Sequence, residues 1–163
     1  MSATDRLIEA NRRFATTFDR GGLEAAPAMG VAVVACMDAR LDVYRLLGLR
    51  EGDAHVIRNA GAVVTEEVIR SLAISQHELG TTEVILIGHT KCGLEGLDRD
   101  EFAERLERET HAPRDWTIGA FDDVHQSVAN SIAQIEASPF LSLAKSVRGF
   151  VYDVNTGTLN EVI

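Results

Sequence analysis

With Val147 to Val154 read as a further, mixed strand, two short apolar runs set the limits on how this chain can fold: Val31-Ala32-Val33-Val34-Ala35 and Glu83-Val84-Ile85-Leu86-Ile87-Gly88. Continuous β-branched runs of this length read as strands buried on both faces, the signature of a parallel sheet. A fourth, shorter run, Ala54-His55-Val56-Ile57-Arg58, is broken by Asn59-Ala60-Gly61. Helical patterns fill the gaps. Residues 65–79 carry the strongest, with Thr65 as cap, Glu66 and Glu67 at the positive end of the dipole, and Gly80 placed to terminate it. Residues 4–19 (capped by Thr4), 41–47 (ended by Gly48), 100–110 and 121–136 read as further helices. Asn155-Thr156-Gly157 is a turn signal, and residues 159–163 then return antiparallel. Alternating strands and helices predict an α/β fold: a mainly parallel four-stranded sheet flanked by helices, with an added antiparallel C-terminal strand. The 163 residues suffice for one domain with its own core, residues 1–20 forming a peripheral N-terminal helix.

A net charge of -9 argues against nucleic acid and against an anionic membrane surface as partners. No apolar run approaches the roughly 20 residues that span a bilayer. The first residues, Met1 to Arg6, lack the basic and apolar regions of a secretory signal, so a cytoplasmic location is expected. In a reducing compartment a disulfide between the two cysteines, Cys36 and Cys92, is disfavoured; inert burial and metal ligation remain open.

The first run ends in Cys36-Met37-Asp38-Ala39-Arg40. If the segment stays extended, the thiol, carboxylate and guanidinium at alternate positions face one side, a combination suited to a metal or an anion. The run at 83–88 ends in His89-Thr90-Lys91-Cys92-Gly93, where His89 and Cys92 can face one side of a tight turn entering the next helix. Each motif alone is weak. Together, at two strand ends, they use every cysteine in the chain. Cys36, His89 and Cys92 make a Cys/His/Cys set that zinc favours, leaving one position open for water. Asp38 is a candidate fourth ligand: bound, it closes the site; turned toward Arg40, it opens it. His77, His111 and His125 read as packed or surface residues, His55 as either, and Trp116 with Phe121 as local packing.

Cys36-x-Asp38-x-Arg40 followed by His89-x-x-Cys92-Gly93 resembles the signature of the β-class carbonic anhydrases, and Arg58-Asn59-Ala60-Gly61 resembles that family's characteristic loop. The resemblance runs from about residue 30 to the end. It implies one zinc per subunit held by Cys36, His89 and Cys92, a catalytic dyad of Asp38 and Arg40, and a backbone contact from Gly61 beside the substrate. The implied reaction is reversible hydration of carbon dioxide to bicarbonate and a proton, by attack of zinc-bound hydroxide. The implied assembly is a homodimer or higher homo-oligomer. Ala39 departs from the family, where Ser is common. The compact prokaryotic subgroup also resembles enzymes that hydrolyse carbonyl sulfide or carbon disulfide, which leaves that substrate class as an alternative. A non-catalytic zinc or redox-sensing module, closed by Asp38, is a second. Ala60, Ala62, Val63 and Val64 are expected to wall the substrate pocket.

Overall fold

The computed structural model describes residues 1–162; Ile163, the last position of the expected return strand, lies outside the described residues. Five strands form one sheet in the order β2-β1-β3-β4-β5. They are β1 (Val31–Cys36), β2 (Ala54–Asn59), β3 (Glu83–His89), β4 (Ser146–Tyr152) and β5 (Leu159–Val162). The first four pair parallel, and β5 returns antiparallel on β4, as expected. Every residue of β1 is buried, which is why its sequence is apolar throughout rather than alternating.

Strand order fixes where a site can form. From β1 the chain moves outward to β2, then crosses back to β3 on the other side of β1. The loops leaving β1 and β3 therefore diverge, opening a crevice at the carboxyl ends of these two strands. Cys36 is the last residue of β1 and His89 the last of β3.

The helices are α1 (Ala3–Ala15), α2 (Val43–Leu47), α3 (Glu66–His77), α4 (Arg99–Thr110) and α5 (Val124–Ala137). Thr65 caps α3 as expected, accepting from the Val68 N–H. The helix ends at His77, and Gly80 follows with a positive φ of 75°. Three starts differ from expectation because a nearby oxygen captures the N–H groups first; in α2 it is Asp42, so that helix begins at Val43 and not at residue 41. Ser2, not Thr4, caps α1 through a reciprocal pair of bonds with Asp5. Asp123 caps α5, so the helix begins at Val124 and not at residue 121. β4 ends at Tyr152 because the Asp153 carboxylate accepts from the N–H groups of Asn155 and Thr156 and turns the chain. Helix α5 packs directly on the sheet beside the site: a Cβ at Gly88 would lie 2.9 Å from methyl groups of both Val124 and Val128. Among the described residues, no helix is long and apolar enough to cross a membrane.

Candidate metal centre

The two strand ends bring Cys36, His89 and Cys92 together, with their ligating atoms all within 4.8 Å of one another. All three residues are buried. Cys92 does not sit in a turn that enters a helix. From Thr90 the chain passes through a loop bridged by Glu95 to Phe121, and α4 starts only at Arg99.

His89 is fixed by its own neighbour. Its Nδ1–H donates to the Thr90 carbonyl at 2.9 Å, which turns Nε2 toward the two sulfurs. That nitrogen is buried without a hydrogen-bond partner. An orphaned buried acceptor costs on the order of 1–3 kcal/mol, and a cation held between it and two thiols removes the cost. The donor set suits zinc, and the carbonyl behind the imidazole is the arrangement that orients metal-binding histidines.

Of the two sulfurs, that of Cys36 is prepared for negative charge. Cys36 is held far below an ordinary thiol, first by the hydrogen bond from the Cys92 thiol and then by His89 and by the N–H groups of Asp38 and Gly61; burial opposes them. Cys92 is pushed up by the same shared hydrogen bond and by burial, because the pair gives up a second proton against the charge left by the first. A bound cation relieves that repulsion.

Asp38 and Arg40 form a two-pronged ion pair: Nε to Oδ1 at 2.9 Å and Nη2 to Oδ2 at 2.7 Å. The Arg40 side chain and backbone N–H hold the Asp38 carboxyl well below the usual carboxylate range. The two residues do not project from one extended face, as the alternating pattern predicts. β1 ends at Cys36, and Leu41 N–H donates to the Asp38 carbonyl at 3.0 Å, making a turn of residues 38–41. The pairing survives because the turn folds Arg40 back on Asp38. Arg40 also donates to the Lys91 carbonyl at 2.9 Å, tying the two ligand-bearing loops together. Asp38 Oδ2 stays 3.7 Å from His89 Nε2.

The cluster opens into a cavity of about 500 Å³. Met37, Ala60, Gly61, Leu94, Leu97, Phe102, Trp116 and Ile118 make most of its lining apolar, and Arg105, stacked over the Phe102 ring, adds one cation. Of the expected walls only Ala60 contributes. Gly61 and Ala62 both take left-handed backbone angles, φ +78° and +55°, which carries Ala62 into the core. Val63 and Val64 then face neighbouring clefts against α5. Trp116, expected only to pack locally, lines the cavity, while Phe121 is buried behind Gly61. Nothing in the local sequence marks the α4 and 116–118 walls, which reach the site only through the tertiary fold. The other histidines do not reach the centre: His55 bonds Ser75 Oγ and the Ala25 carbonyl, and His77 the Phe140 carbonyl. Among the described residues, a larger cleft of about 750 Å³ between α3 and residues 138–140 contains no ligating cluster.

The sequence profile of the carbonic anhydrase family matches residues 31–99. β-Carbonic anhydrase 1 of Mycobacterium tuberculosis is 50% identical over 162 residues, covering 99% of each chain. A carbon disulfide hydrolase of Acidithiobacillus thiooxidans is 30% identical over 148 residues, 78% of this chain and 74% of that one. Among solved structures, a carbonic anhydrase from Streptococcus mutans superposes with a TM-score of 0.93 at 41% identity, over 100% of this chain and 99% of that one.

Proposed function

The chain belongs to the β-carbonic anhydrase family, and from that membership we propose that it catalyses the reversible hydration of carbon dioxide at a zinc ion held by Cys36, His89 and Cys92. The observation that carries this reading is the buried Cys/His/Cys cluster opening onto an apolar cavity, with Asp38 drawn aside by Arg40.

Zinc bound there supplies Lewis acidity, which makes water a nucleophile near neutral pH. The protein's share of the work is orientation and exclusion. Asp38 stays ionised, and its Oδ2, beside the cluster, accepts a hydrogen bond from the attacking water and aims its lone pair into the cavity. Arg40 fixes that carboxylate through both oxygens and keeps it from taking the fourth position on the metal. Gly61 directs its N–H to the Cys36 sulfur, and its main chain lines the cavity beside the substrate. Leu94, Leu97, Phe102 and Ile118 give a linear, apolar molecule a dry approach.

Stopped-flow hydration on zinc-quantified protein tests the reading. Activity is expected in the wild type, at background in Cys36→Ser, and at least tenfold lower in Asp38→Asn. A zinc-loaded wild type inactive from pH 7 to 9 overturns it. Carbon disulfide hydrolysis is the second reading, favoured by the carbon disulfide hydrolase relative and by a cavity roomy and apolar enough for sulfur-bearing substrates; hydrogen sulfide release reveals it. A closed zinc or redox module is disfavoured by the Asp38–Arg40 pair.

The apolar residues of α1 are exposed and need cover, which supports a homodimer or larger assembly, measurable by light scattering. Two free thiols fit a cytoplasmic location.

A further inference from the structure

We infer that Arg58 is a positioning residue, which sets the geometry of the metal centre by clamping the main chain between Cys36 and Asp38; this rests on reading the Cys36/His89/Cys92 cluster as a metal site. Arg58 Nε and Nη2 both donate to the Cys36 carbonyl, at 2.9 and 2.7 Å. Nη2 donates to the Asp38 carbonyl as well, at 2.7 Å. The unit between is held from the same strand end, where Met37 N–H donates to the Asn59 carbonyl at 2.8 Å. Among the described residues no carboxylate pairs with Arg58, so this guanidinium is committed to main-chain oxygens and not to an ion pair.

Peptide planarity gives these bonds their effect. Fixing the carbonyl of a residue fixes the plane that follows it, and so its ψ. Arg58 thereby fixes ψ at Cys36, which offers a sulfur to the cluster, and at Asp38, whose carboxylate lies beside it. One side chain thus sets the relative placement of a metal ligand and of the group that orients water. Nη2 alone bridges the two carbonyls, and Nε adds a second bond to that of Cys36, so the rigid plane of the guanidinium fixes the angle at which the bridge is held. A lysine ammonium offers a cation without the fork.

The test compares wild type, Arg58→Gln and Arg58→Lys by three readouts: thermal unfolding, zinc affinity in competition with a chromophoric chelator, and the absorption spectrum of the cobalt-substituted protein. Removing a group that orients a metal ligand commonly costs about 10–100-fold in metal affinity. A loss of that size is expected in Arg58→Gln, with a displaced thiolate-to-cobalt band, and Arg58→Lys should resemble Gln more than the wild type. If Arg58→Gln does not fold, Arg58→Lys decides on the same readouts. Folded variants with zinc affinity within twofold of wild type and an unchanged cobalt spectrum overturn the inference, as does full restoration by lysine, which would make charge alone sufficient. A wild type that binds neither ion overturns the metal reading together with the clamp, whereas a metal-binding wild type without hydration activity overturns only the proposed reaction.

Discussion

The candidate metal centre and helix α1 are held together in opposite ways. In α1 the bonds are local: Ser2 with Asp5, Glu9 with Arg12 and Arg13. No residue of the helix is buried, and Leu7 is 72% exposed. In the centre the local pairs, Asp38 with Arg40 and His89 with Thr90, are joined to one another by bonds between distant parts of the chain: Arg58 to Cys36, Arg40 to Lys91, and Val154 N–H to Thr90 Oγ1. The helix is specified by its own sequence but has nowhere within the chain to place its apolar stripe. The centre exists only when the sheet has assembled and brought its strand ends into register.

That contrast is sharpest in the core beneath the centre. Leu86 of β3 is fully buried, and Leu86→Ala is expected to cost about 2–5 kcal/mol by chemical denaturation. It should weaken metal binding along with the fold. Gly61→Ala comes next. Its φ of +78° costs a side chain about 1–2 kcal/mol, and the new Cβ would lie 2.8 Å from Leu94 Cδ1. Reduced stability should therefore accompany a narrower cavity, read as a raised KM for the small substrate. Leu7→Ser in α1 should change intrinsic unfolding by no more than about 0.5 kcal/mol, yet shift the assembly toward monomers in light scattering. A large unfolding penalty there, with assembly unchanged, would break the contrast.

The smallest effect is expected at the sheet edge, where Arg148 meets Glu161 at 2.6 and 2.7 Å on an exposed surface. Arg148 lowers the Glu161 carboxyl below its ordinary value. A depressed folded-state value stabilises the fold above the unfolded carboxyl's pKa of about 4.3, and that help disappears as pH falls through the folded value. Glu161→Gln should thus lower the denaturation midpoint slightly at pH 7 and leave it unchanged at pH 2. Added salt should shrink the difference.

How far the sequence reveals the molecule follows the same division. The parallel sheet was legible because burial on both faces leaves unbroken apolar runs such as 31–36. Thr65 was legible because a cap acts within one turn. The convergence of Cys36, His89 and Cys92 could be anticipated because ligating residues stood at two strand ends. Side-chain direction beyond those ends could not. The left-handed angles at Gly61 and Ala62 redirect Val63 and Val64, and a non-glycine residue at positive φ leaves no local trace. Phe102 and Trp116 reach the cavity from α4 and the loop behind it, through packing that no short pattern records. Arg58 was visible within the loop, but its hold on the 36–38 backbone depends on β1–β2 register.

Gly88 gives the fold a history as well as a shape. It stands next to His89, and the space its missing side chain leaves is filled by Val124 and Val128 of α5. Volume at position 88 and volume on that helix are therefore one shared quantity. A lineage can enlarge the strand only after trimming the helix, so the order in which substitutions arrive is constrained. Drift in a helix with no share in the chemistry thereby stays tied to the residue beside the imidazole.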